Sequence, residues 1–323
     1  MYKSQLDLTP GTEIRLPACD DLDVDESCHI IDEDSLLAIN ATLATARPLL
    51  VRGEPGVGKS QLARAAAVEL GRAFVPHAID ARTETRDLLW SVDAVARLAE
   101  AQLVGALRKV DHATLEKRLA IDSFVHPGPL WWAFDWESAL VQANRLKLSI
   151  PTTPKDWVPA DGVVVLLDEI DKADPSVPNG LLDAFGHGRF DVPGRKPVRM
   201  NAACRPLVVI TTNEERALPD AFLRRCFVLH LKFPSDQDEL IRRGRAHFPK
   251  TKCGDAVLKE AAKLLTADRE KLRNTDLCPP GLAEYLDLVR AVCGQKKTDT
   301  EQRELMAKIA KFALSKHPAD RPG

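Results

Sequence analysis

Residues 49–60 read Leu-Leu-Val-Arg-Gly-Glu-Pro-Gly-Val-Gly-Lys-Ser, and no other stretch restricts the fold as tightly. Leu49–Arg52 predicts a short buried strand, followed by a glycine-rich turn and a helix from Lys59. The spacing G-x-x-x-x-G-K-S is the P-loop pattern that cradles phosphate. Gly53, Gly56 and Gly58 admit backbone angles that aim successive N–H groups at one anion. The helix that follows turns its positive end toward the same point. Lys59 then reaches the β and γ phosphates of a nucleotide, and the Ser60 hydroxyl ligates Mg²⁺. Glu54, Pro55, Val57 and Gln61 complete the binding segment. By average residue usage the pattern arises by accident in about one chain of this length in a hundred.

A chain of 323 residues has room for one large domain and a smaller one. Its net charge of −2 gives no support to a polyanion-binding surface spread over the whole molecule, so nucleic acid is not an expected partner. The cysteines at 19, 28, 204, 226, 253, 278 and 293 are odd in number and form no C-x-x-C pair. That favours reduced thiols and a cytoplasmic protein over a disulfide framework or a zinc knuckle. No basic-then-apolar leader opens the sequence. The longest apolar run, about Val163–Leu167, is far too short for a bilayer.

Residues 1–34 form an acidic N-terminal arm, carrying Asp20, Asp21, Asp23, Asp25, Glu26, Asp32, Glu33 and Asp34. It reads as a poorly structured, solvated lead-in or as a docking strip for a basic partner. A helix is expected from Ser35, capped by Asp34 or Ser35 itself, with Leu36, Leu37, Ile39 and Leu43 on one face. After the glycine-rich loop come a helix over Gln61–Leu70 and a strand over Ala73–Ile79. Thr83–Trp90 opens an insert reaching about residue 160, with a helix over Val95–Val110. Trp131, Trp132, Phe134, Trp136 and Trp157 lie in this insert, either sealing a local core or forming an exposed aromatic surface. Gly162–Leu167, Leu207–Thr212 and Phe227–Leu231 read as further buried strands, with a helix over Gly180–Phe185 between the first two. Strands alternating with helices predict a doubly wound parallel α/β sheet over 35–235. From Asp236 the chain reads as all-helical, with helices over Asp238–His247, Ala256–Ala267, Gly281–Cys293 and Thr300–Ser315, and a frayed tail over Pro318–Gly323. The segment 236–323 would be a small helical lid.

The run Val163–Leu167 ends in Asp168-Glu169. Ligands of an open α/β sheet sit beyond the carboxyl ends of its strands. There Asp168 can hold Mg²⁺ and Glu169 can polarise a water as general base.

With these residues in view the chain resembles the AAA+ ATPases, and among them the MoxR-type group. The likeness rests on Gly53–Ser60, Asp168-Glu169, Ile210–Asn213 and Leu218–Arg225, and spans about residues 35–300. The resemblance implies a P-loop (AAA+) core with a smaller all-helical C-terminal lid, and ATP/ADP with Mg²⁺ as ligands. It implies that Asn213 senses the γ-phosphate and orients the water with Glu169. It implies an arginine that reaches into a neighbouring subunit's site, Arg225 first and Arg224 second. Two departures stand out. Gly281 occupies the place where relatives carry a lid arginine, which leaves Arg273 as one substitute. The 109 residues from Lys59 to Asp168 exceed a minimal core.

An arginine supplied in trans makes hydrolysis depend on assembly. The expectation is a homo-oligomeric ring, most simply a hexamer, that hydrolyses ATP to remodel protein partners. The resemblance suggests von Willebrand factor A domain proteins as such partners. Thr83–Trp90 and the insert are candidate pore elements. Two other readings stay open at this point: a nucleotide-gated assembly switch with little turnover, and a GTP-driven motor of a restriction-type system.

Overall fold

The computed structural model describes residues 3–106, 111–234, 236–273, 275 and 277–314. The acidic lead-in, expected to be poorly structured, carries β1 (Glu13–Leu16) and β2 (Ser27–Ile30), paired antiparallel with Ile14 opposite His29. Alternation explains it: Ile14 and Leu16 are buried while Glu13 and Arg15 face out, so one side of the hairpin is apolar. α1 (Glu33–Thr45) starts two residues earlier than expected. Asp32, rather than Asp34 or Ser35, supplies its cap, with Oδ1 accepting from the Ser35 N–H at 2.7 Å.

β3 (Leu49–Arg52), α2 (Lys59–Leu70) and β4 (Ala73–Ala78) follow the expected strand–loop–helix–strand order. The segment opened by Thr83 contains α3 (Thr85–Leu89), β5 (Trp90–Val92), α4 (Ala94–Ala106), α5 (His112–Leu119), β6 (Val125–Pro127), α6 (Pro129–Phe134) and α7 (Trp136–Leu146), with β5 antiparallel to β6. The last four residues of the helix expected over Val95–Val110 lie outside the described residues. Trp131, Trp132 and Trp136 are buried and join the hydrophobic cluster that contains the strands β4 and β7 (Val163–Asp168). Trp136 meets Trp132 and Trp157 edge-on, at centroid distances of 4.8 and 4.6 Å. The tryptophans therefore build core rather than an exposed aromatic surface.

Next come α8 (Ser176–His187), the short antiparallel pair β8 (Arg189–Phe190) and β9 (Val198–Arg199), β10 (Leu207–Thr212), α9 (Asp220–Leu223) and β11 (Phe227–His230). The central sheet is five-stranded and parallel, in the order β11-β3-β10-β7-β4. Val165 of β7 pairs with Val208 on one side and Val75 on the other. Every residue of β10 is buried, as is Val163–Leu167 of β7, the pattern of strands covered on both faces. The order along the sheet differs from the order along the chain, so residues far apart in sequence reach one edge. The four helices expected at the end are α10 (Gln237–His247), α11 (Asp255–Leu272), α12 (Leu282–Gln295) and α13 (Asp299–Ala313). Ser315 and the tail Pro318–Gly323 lie outside the described residues.

The described residues group into two compact units. One takes Met1–Asp7, Leu36–Val51 and Ala66–Leu229, and holds the sheet with its flanking helices. The other takes Leu8–Ser35, Arg52–Ala65 and His230–Gly323. It holds the β1–β2 hairpin, the glycine-rich loop and α10–α13, and the four helices share a core of their own that includes Leu258, Tyr285, Val289 and Met306.

Candidate functional site

The glycine-rich loop leaves β3 at Arg52 and enters α2 at Lys59. Gly53, Gly56 and Gly58 all have positive φ, at 150°, 74° and 103°. At Gly53 a side chain is excluded outright, because a Cβ would lie 2.4 Å from the Leu231 carbonyl oxygen. Lys59 is 7% exposed, and its ammonium donates to the carbonyls of Gly53 and Glu54 at 2.7 and 3.0 Å. Val57 is buried, which fixes the loop from below, while Pro55 and Gly56 are exposed. Ser60 and Gln61 sit in the first turn of α2, half-buried.

The start of α12 packs on this loop. Gly281, which caps α12, has no room for a side chain: its Cβ would stand 2.8 Å from the Pro55 carbonyl oxygen. The absence of an arginine there thus has a steric cause. A Cβ on Gly56 would likewise meet the Ala283 Cβ at 2.9 Å. The arginine that reaches the loop is Arg269 of α11, which the sequence did not single out. Its guanidinium pairs with the Glu54 carboxylate at 2.9 Å, donates to the Pro280 carbonyl at 2.7 Å and stacks on Phe233 at 3.7 Å. Arg273, the substitute named from sequence, is exposed and pairs with Glu270.

A second constellation stands at the ends of β7 and β10. The Thr211 hydroxyl, fully buried, donates to Asp168 Oδ1 at 2.5 Å and accepts from the Glu169 N–H at 2.9 Å. Glu169 itself has a left-handed backbone, with φ 60°. For a non-glycine residue that costs about 1–3 kcal/mol and persists only where the surroundings enforce it. Asn213 Nδ2 donates to Glu169 Oε1 at 2.9 Å, and the Lys172 ammonium takes Oε2. The Lys172 pKa rises, first through that hydrogen bond and then through the charge of Glu169. Below them lies a carboxylate missed in the sequence. Asp171 is 3% exposed and accepts from the N–H groups of Asn213 at 3.2 Å and Glu215 at 3.0 Å. Asp171 therefore anchors the turn that carries Asn213. Its spacing three residues after Asp168 was the available signal. Structure thus brings Asp168, Glu169 and Asn213 into one network.

Arg224 and Arg225 follow α9 and are exposed. Neither guanidinium makes a hydrogen bond or ion pair among the described residues. They line a cleft of about 790 Å³ together with Arg47, whose guanidinium donates to the Arg225 carbonyl at 3.1 Å and also to that of Arg224.

A phosphate-cradling loop on a parallel α/β sheet, with two acids ending a buried strand, defines a P-loop nucleotide-binding fold. The family model described as AAA domain (dynein-related subfamily) matches residues 48–226, more than half of the chain, and the chain belongs to that family. Membership supports a nucleotide-dependent activity. Among solved structures, a mutant RuvB of Thermotoga maritima is 14% identical over 96% of this chain and 74% of its own, with a TM-score of 0.45. A protein of Cytophaga hutchinsonii described as a putative ATPase is 15% identical, covering 87% and 79%, at a TM-score of 0.37. The T. maritima RuvB Holliday junction branch migration motor is 14% identical, covering 86% and 67%, at 0.40. These likenesses are too distant to carry a function across. No curated protein matches the chain. Among the described residues no helix is long and apolar enough to cross a membrane.

Proposed function

We propose that the protein is a Mg-dependent ATPase of the MoxR type that works as a homo-oligomeric ring and remodels protein partners. In this reading the N–H groups of Gly53–Ser60 bind the phosphates and Lys59 neutralises the β and γ groups. Ser60 and Asp168 are the residues that would hold Mg²⁺, which would offset charge on the triphosphate. The donor chemistry fits such an ion: a hydroxyl and a carboxylate, both oxygen ligands. Glu169 takes a proton from the attacking water, and Asn213 orients the pair. Arg225, with Arg224 second, offsets transition-state charge at a neighbour's site.

The observation that carries this reading is the 2.9 Å bond from Asn213 to Glu169, beside Asp168. It links the proposed base to the proposed sensor, two residues otherwise 44 positions apart. A protein partner is supported by α4, where Val95, Leu98 and Leu103 are exposed. Thr83–Trp90 is the pore candidate, and von Willebrand factor A domains are the partner class to try first.

Steady-state phosphate release tests the base. Glu169→Gln is expected to keep ATP affinity and lose at least a hundredfold in turnover. Near-wild-type turnover would remove Glu169 from its role. Mixing Arg225→Ala with Glu169→Gln subunits is expected to restore part of the activity, and no gain on mixing refutes the trans arginine. A competition panel of ATP, GTP and ADP decides the base.

One observation favours a second reading, the nucleotide-gated switch. Both Glu169 carboxylate oxygens are engaged, Oε1 by Asn213 and Oε2 by Lys172. A base held in this way turns over slowly until Lys172 lets go. Lys172→Ala raising basal turnover severalfold would support gating, and an unchanged rate would sink it.

A further inference from the structure

Charge in this chain is segregated by place. The cleft of about 790 Å³ in the sheet-bearing unit is lined by Arg47, Arg199, Arg205, Arg224, Arg225 and His187, and no carboxylate lines it. Five like charges around one concavity repel one another and focus a positive potential into it. Arg47 is fixed by the two carbonyls after α9 and by the Phe227 ring, 5.2 Å from its guanidinium carbon, so the cleft wall is held in shape. Arg199, on the edge strand β9, is exposed and has no hydrogen bond or ion pair among the described residues. The chain as a whole is weakly acidic, so the compensating charge sits elsewhere.

One dense run of acidic residues is the connection from β1 to β2. Asp23, Asp25 and Glu26 are exposed there, and their carboxylates have no hydrogen bond or ion pair among the described residues. The connection is not a loose arm. Cys19 and Val24 exchange backbone hydrogen bonds at 2.9 and 3.2 Å, closing the turn around Asp23. The Arg64 guanidinium, 6% exposed, donates to the Pro17 carbonyl at 2.6 Å and ties the turn's start to α2. A preformed acidic turn loses little conformational entropy on docking.

We propose that the arginine-lined cleft of one copy receives the acidic β1–β2 turn, residues 17–26, of a second copy of this chain. The contact is head-to-tail: each copy offers one cleft and one turn. Such a heterologous contact closes into a ring or runs on as a filament. The proposal rests on the ring reading above and deepens it, by naming the two surfaces that meet. The alternatives are an acidic segment of a different protein and a polyanion such as nucleic acid. The preformed acidic turn, of opposite sign to the cleft and present on every copy of the chain, favours self-association over both.

A charge swap tests it on the full chain. Assembly is followed by mass photometry and sedimentation velocity with a non-hydrolysable ATP analogue, at low and high salt. Arg199→Glu/Arg205→Glu and Asp25→Lys/Glu26→Lys are each expected to raise the concentration for half-assembly at least tenfold. The chain carrying both pairs, with its charges exchanged, is expected to recover most of that loss. Neither pair includes a residue assigned to nucleotide chemistry, and all four side chains are exposed, so folding is checked by melting and expected to be unchanged. Fluorescent-ATP binding is measured in parallel. Loss of binding in wild type indicts the ATPase reading, whereas normal binding with assembly unmoved by either reversal overturns this inference alone. Single reversals that dissociate the ring without recovery in the swap overturn the pairing. A monomeric wild type that binds a poly-glutamate peptide or heparin through Arg199 and Arg205 overturns it in favour of a foreign partner.

Discussion

Replacing Asp171 should separate water positioning from nucleotide binding. The carboxylate is buried and accepts two backbone N–H bonds, from Asn213 at 3.2 Å and Glu215 at 3.0 Å. A hydrogen bond to a charged group contributes about 1.5–3 kcal/mol. Asp171→Ala should therefore cost roughly 3–5 kcal/mol, since it strands two donors in a dry place. At about 2–4 °C per kcal/mol for a unit of this size, melting should fall by roughly 10 °C. Both N–H groups point at one oxygen, Oδ2; Asp171→Asn can place its single amide oxygen there but makes neutral rather than charge-assisted bonds, so about half the loss is expected. The turn from Asn213 to Glu215 then relaxes, and the Asn213 amide moves relative to Glu169 Oε1. Misplacement by an ångström costs up to about a hundredfold in rate. Turnover of Asp171→Asn, measured by phosphate release below its melting temperature, should drop roughly tenfold to a hundredfold with ATP affinity unchanged. Full turnover in a destabilised Asp171→Asn protein would refute the positioning argument. So would an affinity loss that matches the rate loss, because that would put Asp171 on the binding step.

Two further outcomes come from the smaller unit. Gly281→Ala places a Cβ 2.8 Å from the Pro55 carbonyl oxygen, so the loop or α12 must shift. We expect about 1–3 kcal/mol of destabilisation and weaker ATP binding in titrations, whereas Ala283→Gly should leave binding within a few-fold. His29 is buried, and burial, followed by the charge of Arg243, lowers its pKa to about 4; His247 is lowered to about 4 in the same way, burial first and then Arg290. Unfolded, both bind protons near pH 6.5, so between 6.5 and 4 the unfolded chain holds more protons and stability falls as pH falls. Urea melts at pH 7.5 and 5.0 should show that loss, and His29→Gln should reduce it; equal pH slopes would refute the assignment.

Much of the molecule was legible before any coordinates. Continuous β-branched runs such as Val163–Leu167 can only be strands covered on both faces, and Gly-Lys-Ser after a strand demands the glycine loop. The all-helical character of the chain from Asp236, with four helices, was readable as well. Other features were not legible, because they depend on partners distant in sequence. Asp171 looks like one more acid until β10 brings Asn213 and Glu215 to it, 42 and 44 residues on. Arg269 is an ordinary helix arginine until Glu54, 215 positions away, meets it. Gly281 reads as a missing arginine, yet the Pro55 carbonyl beside it explains why nothing larger stands there.

Local chemistry in the sequence determined the elements and the phosphate loop, since propensity, periodicity and turn geometry act over a few residues. Tertiary structure decided which groups share a carboxylate, which arginine reaches the loop, and that the tryptophans are core. Those outcomes rest on long-range packing and on the need to satisfy each buried polar atom, and no short window of sequence contains them.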